Sequence, residues 1–257
     1  MIAAVYFFRL EVRVESTGSI YFSSGTSDDI VLVESTMLLP LLFVIVAAVF
    51  VCLAQQMARE MARLPALTAY TYNVAGSLVG VIAFGLISWL ELAPIVWFSI
   101  AFAAALPFIA TGRRGLAVAQ IALLGVSLGL VRLVAGDAIW SPYYKVGVRQ
   151  TGEETVIDVN NTFHQSMAPL ERKEYFYQWP YQALGRQFSN VLILGAGSGT
   201  DVAAALRNGV QHVDAVEIDP AILRLGRERH PEQPYTDPRV TLINDDARHF
   251  LRTTTER

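Results

Sequence analysis

The chain has 257 residues, of which 53% are hydrophobic and 17% charged, with a net charge of -3 at pH 7. That length accommodates two domains, the apolar excess is high for a soluble globular protein, and the charge leaves no electrostatic footprint for nucleic-acid binding. The single cysteine, Cys52, lies in an apolar run, which excludes a disulfide framework and a zinc cluster and reads as a small hydrophobe.

Charge is unevenly divided: residues 1–135 hold 7 Lys/Arg and 7 Asp/Glu, leaving 13 and 16 for residues 136–257. The opening ten residues are apolar, too short to span a bilayer, and read as the remnant of a further span in a longer protein. Residues 11–37 carry Ser, Gly and Asp clusters and read as a loop, so 1–37 is a polar N-terminal segment. Residues 38–135 read as a transmembrane helical bundle. A span needs roughly 20 mostly apolar residues. Residues 38–54, 70–90 and 116–135 meet that expectation, the last interrupted only by Gln120 and Arg132, and 94–110 meets it a little short. Being internal and repeated, these runs are not a signal peptide, and as a soluble bundle they would have almost no polar face.

Gly76, Gly80 and Gly85 supply close-packing positions, used either within this chain or between two copies in a homodimer. Arg59 and Arg63 lie between the first two runs and Arg113 and Arg114 between the last two, with only Glu91 in the loop between. The positive-inside rule places both arginine loops in the cytoplasm. Four spans would then send the charged half outside, away from a cytosolic nucleotide metabolite. A cytoplasmic charged half requires one run not to cross, and the last, with Arg132, is the expected one.

Residues 136–185 read as a linker at 136–142, a β-hairpin built from 143–147 and 154–160 around Gly152, and an extended run at 162–167 with His164. The aromatic stretch at 172–184 (Tyr175, Phe176, Tyr177, Trp179, Tyr181) packs in the core or walls an acceptor pocket. Residues 186–257 carry the chemistry. Val191-Leu192-Ile193-Leu194 reads as a buried strand, and Gly195-Ala196-Gly197-Ser198-Gly199-Thr200-Asp201 follows as a tight turn into a helix. A second strand at 212–216 ends in Glu217-Ile218-Asp219, and a third at 240–243 ends in Asp245-Asp246-Ala247. This alternation implies a parallel sheet with its ligand beyond the carboxyl ends of the strands. An acid about 20 residues past the glycines is where such folds hold ribose hydroxyls, which points to Glu217. Asp219, before Pro220, is a helix cap or a ligand, and Asp245 and Asp246 are caps or contacts to an adenine amino group. Three strands make half of a doubly wound sheet, so the sequence predicts a fragment of a longer protein.

These stretches, with Trp140-Ser141-Pro142-Tyr143-Tyr144-Lys145-Val146, resemble the spermidine synthase, or polyamine aminopropyltransferase, family. The likeness runs over residues 140–251, and with the apolar half it resembles the bacterial membrane-fused branch. The resemblance implies a multi-domain architecture: a transmembrane bundle, a small hairpin region and a truncated, Rossmann-like S-adenosylmethionine-type α/β domain. Gly195, Gly197, Gly199 and Asp201 would then line the nucleoside thioether, Glu217 and Ile218 the ribose, and Asp245, Asp246 and Ala247 the adenine. Tyr144, His164, Gln165, Tyr177 and Gln178 would face the amine. The implied reaction moves an aminopropyl group from decarboxylated S-adenosylmethionine to a polyamine such as putrescine, without a metal, in an inner-membrane protein whose soluble domain is cytoplasmic. The chain departs from the family at Ser198, where an aspartate is usual, at Tyr144, where a glutamine is usual, and at Tyr177-Gln178, where a histidine–acid pair is usual. The family's catalytic aspartates would lie beyond Arg257, so the resemblance assigns no catalytic residue within the chain. Two alternatives stay open: an S-adenosylmethionine-dependent methyltransferase, and a non-catalytic membrane protein that binds a nucleoside.

Overall fold

The computed structural model describes residues 10–13, 31–109, 114–185 and 187–255. The chain divides into two compact units, 1–136 and 137–257. Arg113, Arg257 and most of the opening ten residues lie outside the described residues.

In the first unit, β1 (Leu10–Arg13) pairs in parallel with β2 (Val31–Glu34). This corrects the expectation of a loop at the two ends of 11–37, while residues 14–30 lie outside the described residues: Val31 and Val33 are β-branched and favour an extended backbone, and the first helix already begins at Ser35. Four helices follow: α1 (Ser35–Met61), α2 (Ala66–Trp89), α3 (Pro94–Ile109) and α4 (Arg114–Ala135). Pro65 and Pro94 punctuate them, because proline suits the first turn of a helix, where no N–H is required, and Glu91 turns the chain between α2 and α3 with φ of 55°. Helix α3 packs on α4 and meets α2 through an edge-to-face contact of Phe84 and Trp97 at 5.4 Å.

Among the described residues, three helices are long and apolar enough to cross a membrane: Leu39–Met61, Ala66–Trp89 and Arg114–Ala135. The third run forms the shorter apolar helix. The run with Arg132, expected not to cross, is a helix of 22 residues, long and apolar enough to do so, and α3, from the run expected to be a little short, has 16. Arg132 does not interrupt α4, because it lies in the last turn and donates to the Gly136 carbonyl at 2.8 Å; a cation there complements the helix C-terminus.

The second unit contains two sheets. A four-stranded antiparallel sheet runs in the order β3 (Ile139–Trp140), β4 (Lys145–Thr151), β5 (Glu154–Val159), β6 (Thr162–Met167). The linker expected at 136–142 is shorter than its reading, since Ile139 and Trp140 pair with Val146 and Lys145. A bulge at Ile157/Asp158 shifts the β5–β6 register and re-aims the side chains that follow on β6. A short helix, α5 (Trp179–Ala183), leads to the parallel sheet β7 (Asn190–Leu194), β8 (His212–Glu217), β9 (Val240–Asn244), with α6 (Thr200–Arg207) and α7 (Pro220–Arg229) as crossovers and α8 (Ala247–Thr253) after β9.

Helix α7 ties the two sheets together. Leu223 joins the core of the parallel sheet with Val202, Val213 and Ala215, while Leu225 joins Val146, Ile157 and Met167 of the antiparallel sheet. Right-handed crossovers stepping in one direction put their helices on one face. Val191 and Ile193 therefore turn inward, while Leu192 and Leu194 remain 42% and 43% exposed. The four-residue run expected to be buried is thus half uncovered. The aromatic stretch also departs from core packing: Tyr175 and Phe176 are exposed on a short helical turn and Trp179 at the start of α5, and of the five only Tyr181 reaches the core, edge-to-face with Phe188.

Candidate nucleoside site

The carboxyl ends of β7 and β8 open into a cavity of about 310 Å³, a size suited to a small molecule. Nine residues singled out in the sequence line it: Tyr144, His164, Gln165, Tyr177, Gly195, Gly197, Asp201, Glu217 and Ile218. Ala196, Thr200 and Ile222 complete the wall. They come together because the bulged strand β6 and the β3–β4 turn are packed against the glycine turn.

The turn is held from within. The Gly195 and Ala196 N–H groups donate to the Val216 carbonyl, Gly199 to Ala196, Gly197 to Glu217 Oε2 at 2.9 Å, and Ser198 to Gln165 Oε1 at 3.0 Å. All five N–H groups from 195 to 199 are therefore spent inside the protein, whereas a phosphate cradle needs such donors free. The glycine turn is built for close approach of an uncharged surface. Gly197, at φ of +57°, meets the Gln165 amide where a Cβ would stand 2.7 Å from Oε1.

Glu217 is 9% exposed and accepts from Gly197 N and, through Oε1, from Asp219 N at 2.9 Å each. Each carboxylate oxygen keeps a second lone pair, so Glu217 can still accept from a diol. Asp201 stands in the first turn of α6; the protein packed around it raises its carboxyl pKa by desolvation. Tyr177 is pushed up to about 12, first by burial and then by the charges of Asp201 and Glu174, and keeps its proton at neutral pH. Behind it, the Lys173 ammonium lies 5.5 Å from the ring centroid and donates to the Ser166 carbonyl and hydroxyl at 3.1 Å.

The remaining candidates stand outside this lining. Gly199 caps α6 with φ of 103° and packs on Pro234 and Tyr235. Asp219 is fully buried and caps α7, accepting from Ala221 N and Ile222 N, and it receives the Ser141 hydroxyl at 2.5 Å. Asp246 caps α8, accepting from Arg248 N and His249 N. Asp245 pairs with His249 at 2.7 Å, whose hydrogen bond holds its carboxyl below the usual range. Ala247 opens α8, and Gln178 lies at the start of α5. The catalytic aspartates expected beyond Arg257 lie outside the described residues, the last of which is residue 255.

Two supports were not legible in the sequence. Tyr235 is buried and donates to the Ala196 and Gly197 carbonyls at 3.1 and 2.8 Å, closing the turn from below. Ser141 accepts from Tyr143 N and Tyr144 N while donating to Asp219, which seats Tyr144 over the cavity. Ser-Pro after Trp140 is a turn signal and Asp219 before Pro220 a cap signal, but nothing in the sequence joined the two across 78 residues. Among the described residues no group of three or more His, Cys, Asp or Glu could hold a metal ion.

No family model matches the chain. It is 38% identical over 89 residues to polyamine aminopropyltransferase 1 of Streptomyces coelicolor, which covers 32% of this chain and 17% of that protein. Polyamine aminopropyltransferase 2 of Ralstonia nicotianae is 30% identical over 136 residues, 48% of this chain and 26% of the relative. The polyamine aminopropyltransferase of Klebsiella pneumoniae is 30% identical over 119 residues, 40% of this chain and 41% of the relative. The chain thus spans well under half the length of these relatives. A spermidine synthase from Thermotoga maritima aligns with a TM-score of 0.33 and 17% identity over 42% of this chain and 44% of that one. A probable spermidine synthase from Corynebacterium glutamicum gives 0.37 and 20% over 44% and 45%. The sequence relatives, and not these slight structural likenesses, make the chain a relative of the polyamine aminopropyltransferase (spermidine synthase) family.

Proposed function

We propose that the second unit binds an S-adenosyl nucleoside for aminopropyl transfer, with decarboxylated S-adenosylmethionine as donor and a polyamine such as putrescine as acceptor, and that the first unit anchors it in a membrane. The observation that carries this reading is the cavity itself: a glycine turn with no N–H to spare for phosphate, beside a carboxylate held at the second strand end. That pairing suits a nucleoside without phosphates, its diol on Glu217 and its 5′ substituent along Gly195 and Gly197. In the reaction the acceptor nitrogen attacks the carbon next to the sulfonium. The carbon–sulfur bond breaks toward sulfur, leaving a neutral thioether, and the new ammonium sheds one proton. The protein's contribution here is positioning, with Tyr144, His164, Gln165 and Tyr177 on the side of the cavity facing the amine.

Anchoring is supported by three long apolar helices whose side chains are almost wholly exposed. In this reading the soluble unit lies on the cytoplasmic side of a bacterial inner membrane, where the donor is made. Protease protection in sealed inverted vesicles tests the side.

The activity test incubates the full-length gene product, purified in micelles, with radiolabelled decarboxylated S-adenosylmethionine and putrescine, and in parallel with methyl-labelled S-adenosylmethionine. Label appearing in the amine from the first donor supports aminopropyl transfer. Label from the second supports a methyltransferase. Nucleoside binding with turnover of neither supports the non-catalytic alternative.

A further inference from the structure

The aromatic turn ahead of the parallel sheet is an apolar surface of the second unit that the nucleoside reading leaves unused. Between Glu174 and Arg186 the chain carries no Asp, Glu, Lys or Arg. Tyr175 and Phe176 are each 62% exposed, Trp179 58% and Leu184 60%. The backbone that presents them is tied down. The Tyr175 hydroxyl donates to Gln182 Oε1 in α5, and the Tyr181 and Gln182 N–H groups both donate to the Gln178 carbonyl. Large rings held in water forgo the gain of burial, and a cluster of them marks a surface that meets something. The rim of the cavity repeats the pattern. Tyr177 lines the cavity with the Phe176 ring 4.4 Å away, and Tyr144 lines it with the Tyr143 ring at 6.2 Å. In each pair the ring outside the lining is the more exposed one.

We propose that the aromatic turn at 175–184 is a bilayer-contact surface, with the Phe176 and Trp179 rings seated in the headgroup layer. This rests on the reading of the first unit as a membrane anchor, and adds a second, independent contact with lipid. The residue types decide the partner. Trp and Tyr join an apolar body to a polar tip, the combination that settles at the level of lipid headgroups. Eleven residues without a charge offer nothing to an ionic protein partner. In a chain already held at a membrane by long apolar helices a weak partition is enough, because the tether supplies the effective concentration. The gain grows with the apolar area removed from water.

The test uses the full chain reconstituted into phosphatidylcholine vesicles whose acyl chains are brominated near the headgroup, since bromine quenches tryptophan only at close range. The chain has four tryptophans. Three versions each keep one and change the others to Phe: Trp179 in the turn, Trp89 at the end of α2, or Trp140 in β3. The expected result is that Trp179 loses fluorescence about as strongly as Trp89, relative to unbrominated vesicles, while Trp140, in the same unit as Trp179, keeps its own. Phe176→Ser in the Trp179 version should reduce the loss. Quenching of Trp89 without quenching of Trp179 overturns the proposal and leaves the membrane reading standing. Equal losses at Trp179 and Trp140 also overturn it, because the whole unit is then immersed and not in contact through the turn. No loss at Trp89 overturns both readings.

Discussion

The two units spend their hydrophobic residues in opposite ways. In the first, Phe43 is 73% exposed and Val81 71%, and each helix shows apolar side chains on most of its surface. In the second, Val146, Ile157 and Val213 are wholly buried, and the side chains inside α6 and α7 are divided between core and solvent. Burial of apolar area drives folding only when water is the alternative. The described helices of the first unit turn their apolar residues outward, whereas the second unit carries its own core. That difference also explains why the candidate site lies in the second unit: a cavity with fixed carboxylates needs close-packed walls.

The comparison is broken most severely by large-to-small substitution at matched apolar positions. Ile157→Ala in the doubly packed core should cost about 2–5 kcal/mol, while Val81→Ala on the exposed face of α2 should stay within about 0.5 kcal/mol. Chemical denaturation of both variants in the same micelles measures the contrast, and equal losses would mean that α2 is packed against something after all. Next comes Gly226→Ala. A Cβ there would stand 2.5 Å from the Ser198 carbonyl oxygen and 2.8 Å from Tyr235. Overpacking of this kind costs about 1–3 kcal/mol, and the displaced glycine turn should also weaken methylthioadenosine binding. A variant with native affinity and midpoint would show that α7 does not fix the turn.

A smaller effect concerns pH. His230 is buried, its Nδ1 accepts from Glu232 N, and its pKa is lowered to about 4, first by burial and then by Lys173. The folded state holds the ring neutral while the unfolded chain protonates it near 6.5. The second unit should therefore lose stability as pH falls from about 6.5 toward 4, by on the order of 1 kcal/mol per pH unit. His230→Asn, which keeps an acceptor for Glu232 N, should flatten that slope in urea titrations. The smallest effect belongs to Asp201, whose carboxyl is raised in the folded state. Its protonated form is the one the fold favours, so that contribution is present at low pH and lost as pH rises through the carboxyl range. Asp201→Asn should consequently raise the melting temperature slightly at pH 7 and not at acid pH, the opposite of what an ordinary structural acid would do.

Much of this was legible in the chain itself. Period and punctuation marked the apolar helices, the hairpin, and the strand–glycine–helix unit, because those features depend on neighbours a few residues apart. Gly195, Gly197 and Glu217 could be named for the same reason, since the glycine turn and the acid at the next strand end are fixed by local register, whereas Tyr144, His164, Gln165 and Tyr177 were named only through the family resemblance. What local register cannot supply is the direction of packing. The sequence could not tell that crossovers on one face leave Leu192 and Leu194 exposed, or that Tyr175, Phe176 and Trp179 turn outward. Nor could it choose between cap and ligand for Asp219 and Asp246; the structure makes both of them caps. Tyr235 gave no signal and Ser141 only that of a turn, and neither pairing was legible, since their partners, Ala196 and Asp219, lie 39 and 78 residues away. Sequence determined which residues could form a turn, a strand end or a helix start. Tertiary structure alone decided which side chains were already satisfied and which, like Asp201, still faced the cavity, because hydrogen-bond satisfaction is a property of three-dimensional neighbours.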